Sequence, residues 1–195
     1  IIFTTMAKSI EISGNLINAE CGASFTHLAC VAQKNSLCGL EFAYGIPGSV
    51  GGAVYMNAGA YGGEMKDVLK SCTHIDTNIM AGELNADQMD LDYRHSVYSE
   101  NNYVITSATV KLKKDSTVEI RNRMNDYMNR RKDKQPVEYP SAGSVFRNPE
   151  GMFAGKLIED IGLKGKTIGG AMVSEKHANF IINYNSSMFY ISKKS

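Results

Sequence analysis

The sequence lacks the features that mark several common classes of protein. None of its apolar runs reaches the ~18 residues that a membrane-spanning helix needs, and no basic stretch leads into an apolar one at its start. Neither sign of charge is in excess, because 21 Lys and Arg residues are balanced by 20 Asp and Glu residues, which leaves a formal net charge of +1. The sequence therefore predicts neither membrane insertion nor binding to nucleic acid.

Cysteine is scarce, and its spacing is irregular. The four cysteines form no C-x-x-C pair and are not combined with histidines in the pattern of a zinc site; they are Cys21, Cys30, Cys38 and Cys72. This pattern predicts reduced, buried thiols in a cytoplasmic protein, with no metal site. The chain also begins at Ile1 and not at a methionine, so we expect a fragment or a protein whose first segment is not represented.

What the sequence does contain is an ordinary globular composition, with apolar residues whose period changes along the chain. Its 195 residues, 43% of them hydrophobic, suffice for one large core or two small ones. The order of elements shows no regular βα period and no internal repeat, which predicts the α+β class. Helical spacing and stop signals predict three helices, at 24–37, 116–134 and 153–161. Alternation of β-branched residues predicts one strand, at 103–112.

Two of the predicted helices have distinct faces. Four residues of the helix at 153–161 are predicted to point inward, namely Ala154, Leu157, Ile158 and Ile161. The helix at 116–134 carries six basic residues, Arg121, Arg123, Arg130, Arg131, Lys132 and Lys134. These side chains could bind phosphate, although a charged helix face is more often simply solvated. The composition shifts just before this helix, which predicts one domain at 1–114 and a second at 115–195.

The segment 141–149, Ser-Ala-Gly-Ser-Val-Phe-Arg-Asn-Pro, contains the first candidate for a catalytic group. Ser144 follows a glycine and lies between Pro140 and Pro149, so a fixed turn should present its hydroxyl. A hydroxyl that is held rigidly can donate a proton. The alternative is a structural serine that bonds its own backbone, which is the commoner role of a serine in a turn.

Glycine is concentrated in residues 45–53, here named the glycine loop, and again in residues 57–63. Backbone N–H groups without a neighbouring Cβ can approach a ligand closely, and consecutive N–H groups form a concavity that suits phosphate oxygens. The loop is not a Walker loop, because the Gly-Lys-Ser/Thr ending is missing, and its glycine spacing differs from the Rossmann fingerprint. Tight turns without a ligand are the alternative explanation.

A third segment places Tyr93, Arg94 and His95 side by side. Arg94 offers a planar fork for a carboxylate, and Tyr93 offers a hydroxyl on a rigid ring. A surface salt bridge would account for the arginine equally well. His95 has no second metal-binding partner at suitable spacing, so an exposed or capping role is favoured over that of a ligand or base.

Taken together and in this order, the segments resemble the UDP-N-acetylenolpyruvoylglucosamine reductase family. The resemblance covers roughly residues 10 to 183, and the short interval between Arg94 and Ser144 is similar to that of the family's more compact subclass. The matching stretches are Gly39-Leu40-Glu41-Phe42, Gly45-Ile46-Pro47-Gly48, Met56-Asn57-Ala58-Gly59-Ala60-Tyr61-Gly62, Tyr93-Arg94-x-Ser96, Lys134-Gln135-Pro136, Gly143-Ser144-x-Phe146-x-Asn148-Pro149, Ala154-Gly155-Lys156-Leu157-Ile158, Ile168-Gly169-Gly170 and His177-Ala178-Asn179-Phe180.

The resemblance implies part of a FAD-binding domain of the vanillyl-alcohol-oxidase type, followed by a family-specific substrate domain. It implies FAD as the cofactor and NADPH as the reductant, with hydride passing through the flavin to C3 of the enolpyruvyl ether of UDP-N-acetylglucosamine in peptidoglycan synthesis. The residues expected along the flavin and its phosphates are Gly45, Ile46, Pro47, Gly48, Ser49, Gly51, Gly52, Asn57 and Ala58.

The resemblance also implies roles for six side chains. Arg94 would hold the substrate carboxylate and stabilise the enolate as it forms. Ser144 would then protonate C2 as a general acid. Four further residues would contact the substrate, namely Tyr93, Lys134, Asn148 and His177.

Two departures from the family's pattern leave a second hypothesis open. The family's glycine-rich pyrophosphate-binding segment precedes the position where this chain begins, and its C-terminal catalytic glutamate has no counterpart after Glu175. Neither Glu159 nor Glu175 is assigned that role. We therefore expect a chain truncated at both ends. It is either part of a reductase or a non-catalytic remnant that keeps a nucleotide-sugar cleft without flavin.

Overall fold

An antiparallel sheet and the helices packed on it form the N-terminal part of the protein. The structure, a computed structural model, describes residues 6–185, and the chain divides into two compact units at 1–128 and 129–195. The first unit contains β1 (Ile10–Ser13), β2 (Leu16–Glu20), α1 (Phe25–Lys34), β3 (Leu37–Cys38), α2 (Val50–Tyr55), β4 (Gly59–Ala60), β5 (Gly63–Glu64), β6 (Leu69–Ile75), β7 (Ala81–Asn85), β8 (Val104–Lys111), β9 (Lys113–Lys114) and most of α3 (Thr117–Lys134). The second unit contains β10 (Ser141–Ser144), α4 (Ala154–Asp160), β11 (Thr167–Ile168), β12 (Ala171–Val173) and β13 (Phe180–Asn183).

The main sheet has the order β1-β2-β8-β6-β7, and all of its neighbouring strands are antiparallel. Its middle strand, β8, is the strand predicted from the β-branched residues at 103–112, and that prediction is confirmed. The side chains of Ile105, Ala108 and Val110 on β8 are buried. Because β-branched residues pack well on a pleated surface, this run occupies the centre of the sheet.

The first predicted helix is confirmed as α1. Ser24 caps it by accepting a hydrogen bond from the N–H of His27 (3.3 Å), as a serine at this position should. The helix ends earlier than expected, because Ser36 has a left-handed φ of +57° and the chain then enters β3. Inside the unit, Phe25 of α1 packs edge-to-face against Phe42 with ring centres 5.9 Å apart. Burial of such aromatic pairs is a main stabilising contribution to the core.

The second predicted helix is confirmed as α3, and its first half belongs to the core of the first unit. Ile120 and Met124 are fully buried there. The guanidinium of Arg123 pairs with the carboxylates of Glu41 (2.7 Å) and Asp115 (2.6 Å). The guanidinium of Arg123 is therefore already paired with carboxylates and is not a free site for phosphate. Because these contacts tie the first half of α3 to the first unit, the division between the two compact units falls inside α3. The predicted domain boundary after residue 114 stays a prediction.

The second unit is built on a small antiparallel sheet with the order β10-β13-β12-β11. The third predicted helix is confirmed in extent as α4, and Ala154 is buried as expected. The predicted inward orientation of Leu157 and Ile161 is wrong, because they are 42% and 70% exposed. A helix of two turns buries only a narrow stripe, and in α4 that stripe includes Ala154 and not Leu157 or Ile161.

Candidate functional site

The polar contacts of the first unit hold the glycine loop in place. The hydroxyl of Thr26 on α1 donates to the carbonyl of Ile46 (3.1 Å) and accepts from the N–H of Gly45 (3.2 Å). Ser49 caps α2 by accepting from the N–H of Gly52 (3.2 Å). The N–H groups of Gly45 and Gly52 and the carbonyl of Ile46 therefore already have hydrogen-bond partners inside the first unit. A contact between these three residues and a cofactor stays a prediction.

Two glycines of the loop have opposite surroundings. A Cβ on Gly51 would lie 2.9 Å from the Cβ of Cys21, so glycine is required there for α2 to pack beside the end of β2. Gly48 has a φ of +132° and nothing within 4 Å of the position of a Cβ, and it is exposed together with Pro47. A φ in this region is readily adopted by glycine alone. The tip at Pro47–Ser49 is therefore the part of the loop that a ligand can approach.

Backbone donors at this tip fit an acceptor-rich cofactor. Within residues 6–185, the N–H groups of Gly48 and Ser49 have no hydrogen-bond partner, whereas that of Ala58 donates to the carbonyl of Ala53 (2.8 Å). Consecutive N–H groups of this kind suit phosphate or flavin carbonyl oxygens. The exposed tip of the glycine loop thus fits part of a FAD molecule. The N–H of Ala58, in contrast, is already bonded to Ala53 at the end of α2.

Asn57 is fully buried, and all of its side-chain contacts lie inside the first unit. Its amide nitrogen donates to Oε2 of Glu64 (2.6 Å) and to the carbonyl of Asp92 (3.0 Å). Its amide oxygen accepts from the N–H of Lys66 (2.9 Å). Asn57 therefore connects the β4–β5 hairpin with the turn at Asp92, and a direct contact with a cofactor stays a prediction.

The guanidinium of Arg94 is held by main-chain carbonyls. Its Nη2 donates to Gly59 (2.9 Å), its Nη1 lies 3.5 Å from the carbonyl of Asn57, and its carbon lies 5.0 Å from the ring centre of Tyr93. Arg94 is half-buried, and its other N–H donors have no partner within the described residues. An arginine that is oriented in this way can bind a carboxylate through two parallel hydrogen bonds.

His95, next to Arg94, is engaged with acidic side chains. Its Nε2 lies 3.3 Å from Oδ2 of Asp90 and 3.6 Å from Oε1 of Glu100, and its Nδ1 lies 3.0 Å from Oγ of Ser99. Both ring nitrogens therefore have partners in the turn that carries Arg94. This arrangement agrees with a local structural role and not with that of a metal ligand.

The second unit contains a pocket of about 310 Å³ beside α4. Three residues predicted for the site line it, namely Ser144, Asn148 and His177. Lys134 is exposed at the end of α3 and does not line this pocket. Ser144 and His177 are 33 positions apart along the sequence, so tertiary packing must bring them together. The pairing of β10 with β13 does so, because it places Ser144 close to the segment of His177.

Ser144 ends β10 and pairs with Phe180 of β13. In the described part of the chain its hydroxyl has no hydrogen-bond partner, so the alternative of a serine bonded to its own backbone is not observed. Asn148 accepts a hydrogen bond from the N–H of Ala154 (3.1 Å), which satisfies a donor at the start of α4. Ser144 is thus the hydroxyl that the pocket leaves available to a ligand.

His177 lies in the pocket as a neutral ring. Burial lowers its pKa, and the ammonium of Lys164 lowers this pKa further. Nδ1 accepts a hydrogen bond from the N–H of Asn179 (3.3 Å). Because an accepting Nδ1 carries no proton, the proton of the neutral ring is on Nε2. His177 can therefore donate a hydrogen bond to a ligand without adding a positive charge.

Three lysines and the carboxylate of Glu159 line the pocket. The sequence patterns did not indicate Lys164 or Lys176, because neither stands in a recognisable local motif. Each lysine faces a carboxylate. The pairs are Lys156 with Asp160, Lys164 with Glu159 (2.8 Å) and Lys176 with Glu138 (3.6 Å). The hydrogen bond from Lys164 lowers the pKa of Glu159, so this carboxylate is ionised at neutral pH and is no general acid.

The described residues contain neither a membrane span nor a metal cluster. Between residues 6 and 185, no helix has the length and apolarity to cross a membrane, and no three His, Cys, Asp or Glu side chains are grouped so that they could hold a metal ion. All four cysteines are unpaired, and Cys21 and Cys72 are buried as predicted, whereas Cys30 and Cys38 are only half-buried. Burial raises the pKa of the Cys72 thiol to about 12, which makes it unreactive.

Comparison with known proteins gives the two units an assignment. Residues 1–78 match the family described as FAD binding domain, and residues 135–189 match the family described as the C-terminal domain of UDP-N-acetylenolpyruvoylglucosamine reductase. The crystal structure of UDP-N-acetylenolpyruvylglucosamine reductase from Thermus caldophilus superposes with a TM-score of 0.79 at 36% identity, over 87% of this chain and 62% of that chain.

Curated relatives with the same description are more similar in sequence. A UDP-N-acetylenolpyruvoylglucosamine reductase from Clostridium perfringens is 52% identical over 176 residues, which cover 90% of this chain and 58% of the relative. The one from Clostridium novyi is 55% identical over 176 residues, or 90% of this chain and 57% of the relative. The one from Caldicellulosiruptor bescii is 50% identical over 204 residues, or 100% of this chain and 65% of the relative.

These findings define the chain first as a protein of the class that joins a FAD-binding domain to a second α+β domain. Within that class, the chain belongs to the UDP-N-acetylenolpyruvoylglucosamine reductase family. The predicted family and the predicted α+β fold class are thus confirmed. The chain spans about three fifths of the length of the curated relatives it matches.

Proposed function

We propose that the protein is a FAD-dependent, NADPH-driven reductase that converts UDP-N-acetylglucosamine enolpyruvate to UDP-N-acetylmuramate in cytoplasmic peptidoglycan synthesis. The observation that supports this most strongly is the pocket of the second unit. Ser144, Asn148 and His177 lie together there, in the part of the chain that matches the reductase's C-terminal domain. The relatives that share the description are about half identical to this chain.

The glycine loop is the part of this chain that would hold FAD. The N–H groups of Gly48 and Ser49, which have no partner within residues 6–185, would donate to acceptor oxygens of the cofactor beside the exposed Pro47. Gly51, packed on Cys21, and the hydrogen bonds of Gly45 keep the loop in this shape. When bound, FAD supplies hydride transfer from NADPH to C3 of the enolpyruvyl group.

Arg94 would bind and orient the carboxylate of the enolpyruvyl group. Negative charge develops at C2 and spreads into this carboxylate when C3 receives hydride. A guanidinium held by the carbonyls of Gly59 and Asn57 is already oriented before the reaction, so it stabilises this charge without reorganisation. Its planar fork matches the two carboxylate oxygens.

Ser144 would deliver the proton that completes the reaction. Its hydroxyl has no partner in the described part of the chain and lines the pocket, so it can transfer its proton to C2 of the enolate. A serine hydroxyl is a weak acid, and its competence depends on placement. Asn148 and the neutral His177 would contact the nucleotide sugar from the same pocket, and we assign Tyr93 and Lys134 to further substrate contacts.

The experiment uses the complete parent protein that carries this sequence, with added FAD. We expect flavin absorption to stay with the protein through gel filtration, and NADPH oxidation to depend on UDP-N-acetylglucosamine enolpyruvate. A non-catalytic protein that binds nucleotide sugar without flavin is the competing hypothesis, and no specific observation in the structure favours it. A colourless protein that binds the UDP-sugar would support that hypothesis, and a protein that binds neither would overturn both.

A further inference from the structure

Hydrogen bonds, and not apolar packing, hold the segment that carries Ser144. β10 pairs with β13 at Ser141 and Ser144, but the register shifts between these positions, and Gly143 has a left-handed φ of +86°. Beyond Ser144, Val145 is 48% exposed and Phe146 is 61% exposed, so neither side chain anchors the segment by burial. The polar contacts of Val145 and Phe146 therefore decide where the Ser144 hydroxyl lies.

Those contacts converge on one buried residue, Asn179. Its amide nitrogen donates to the carbonyl of Phe146 (2.8 Å), and its amide oxygen accepts from the N–H of Phe146 (3.0 Å). Its main-chain carbonyl accepts from the N–H of Val145 (2.8 Å). Asn179 is only 3% exposed, so its side chain is held inside the unit where it makes these bonds. The Asn179 side chain thus continues the hydrogen bonding between the two strands beyond the last residue pair of β10 and β13.

We propose that Asn179 is the positioning residue that holds Ser144 in the pocket, an inference that rests on the proposed function of Ser144 as proton donor. Asn179 also lines the pocket, but its side chain both donates to and accepts from the main chain of Phe146, so it would act through Val145 and Phe146. A carboxamide suits this task because it donates and accepts at the same time, which the N–H and carbonyl of Phe146 require together. Since a displacement of about 1 Å can cost about 10²-fold in rate, the hold on this segment matters for proton delivery.

Two variants separate positioning from the general stability of the sheet. Asn179→Ala removes both side-chain bonds to Phe146. Ile182→Val, the matched control, shortens a fully buried side chain on β13 that pairs with Ser141, and it leaves Phe146 untouched. We expect Asn179→Ala to lower kcat for the enolpyruvyl substrate by about 10²-fold while FAD reduction by NADPH stays unchanged. Ile182→Val should keep kcat.

A third variant, Asn179→Asp, adds a pH signature that a purely structural role would not produce. The introduced carboxylate still accepts from the N–H of Phe146 but faces its carbonyl without a proton to donate. Burial raises the pKa of such a carboxyl, and protonation restores the missing donor. The activity of the variant relative to the unmodified chain should therefore rise as pH falls. The same titratable side chains line the pocket in both proteins, namely His177, Lys156, Glu159, Lys164 and Lys176. His177 is bonded to the N–H of Asn179, so the comparison is repeated with His177→Gln in both proteins to isolate the new carboxyl.

Amide hydrogen exchange tests whether Asn179 fixes the segment that carries Ser144, and it requires no measurement of enzyme activity. In Asn179→Ala we expect the N–H of Phe146 to exchange about tenfold faster, while the N–H of Ile182 within the sheet is unchanged. If Phe146 kept its protection, or if kcat fell equally in Asn179→Ala and Ile182→Val, the positioning role would be refuted. Should the unmodified chain bind no FAD and reduce no substrate, the proposed function fails, and the exchange comparison still decides whether Asn179 holds the segment.

Discussion

At the scale of single residues, the surroundings of each candidate group define what it can do. Ser144 has a hydroxyl without an internal partner, Arg94 is oriented by carbonyls, and His177 is kept neutral by burial. Asn57, in contrast, uses both polar atoms of its side chain in hydrogen bonds within the first unit. Substitution of the first three should therefore produce three different signatures.

Replacement of the Ser144 hydroxyl should affect only the second half of the reaction. We expect Ser144→Ala to leave FAD reduction by NADPH intact and to slow turnover of the enolpyruvyl substrate by about 10²–10⁴-fold, the usual contribution of general acid catalysis. Stopped-flow measurement of the two half-reactions checks this. Ser13→Ala, at an exposed position of β1, is the control and should be silent. Equal slowing of both half-reactions would point to a structural role of the Ser144 turn.

Loss of the guanidinium fork should weaken carboxylate binding while the charge is kept. Arg94→Lys retains the positive charge but cannot make two parallel bonds to a carboxylate, so kcat/KM for the enolpyruvyl substrate should fall by about 10–100-fold. Flavin content, measured by absorption, should not change. Arg130→Lys on the exposed face of α3 is the matched control. Unchanged kinetics of Arg94→Lys would exclude a carboxylate clamp.

The half-buried imidazole of His177 should make the protein sensitive to mild acid. Its folded-state pKa lies below the ordinary histidine value of about 6.5, so the unfolded chain takes up the proton first and stability falls as pH drops below about 6.5. His177→Gln cannot be protonated, so its free energy of unfolding should fall less over this interval. Urea unfolding at a series of pH values measures the difference. The exposed His27 is the control, and His27→Gln should keep the pH dependence of the unmodified chain.

At the scale of elements, α2 shows how one short helix combines packing with an exposed loop. It begins at the capping Ser49, rests on Cys21 through Gly51, and carries the tip at Pro47–Ser49 at its start. The glycines of this region thus serve different purposes. Only the tip has the open space that an approaching ligand needs, whereas Gly51 is required by contact with β2.

Two adjacent glycines of α2 should respond to alanine in opposite ways. Gly51→Ala places a Cβ 2.9 Å from that of Cys21, so overpacking should destabilise the protein by about 1–3 kcal/mol. Gly52→Ala meets only Oγ of Ser49 at 3.5 Å on an exposed helical position, so it should stabilise by about 0.5–1 kcal/mol. Denaturant unfolding without cofactor measures both. Equal effects of the two substitutions would contradict this account of the loop.

At the scale of the whole molecule, α4 leaves an apolar stripe exposed. Phe153, Leu157 and Ile161 lie four residues apart, hence on one face, and all three are exposed. We expect the double substitution Leu157→Lys, Ile161→Lys to reduce self-association in sedimentation velocity while the free energy of unfolding changes by no more than about 0.5 kcal/mol. Val118→Ser, at an exposed site on α3, is the control. Unaltered association would show that the stripe has no part in it.

Local patterns predicted the elements well, because helical and strand periods depend on residues close in sequence. α1, β8, α3 and α4 lie where the spacing of apolar residues placed them. The burial of individual side chains was less predictable. Leu157 and Ile161 belong to a helical pattern but are exposed, and Arg123 belongs to a charged face but pairs with Glu41 beside the core. The partner of Arg123, Glu41, lies 82 positions away, and no distant element of the described residues covers Leu157 or Ile161.

The sequence by itself determined the family, the α+β class and the candidate groups, because each rests on short motifs and on local periods that need no knowledge of packing. The tertiary structure alone decided which candidates meet. It placed Ser144, Asn148 and His177 around one pocket, left Lys134 outside that pocket, and buried Asn57 among polar partners. It also revealed that Asn179 is bonded to the segment that carries Ser144. The hydrogen bond between Asn179 and Phe146 joins residues 33 positions apart, so it forms only when β10 and β13 pair.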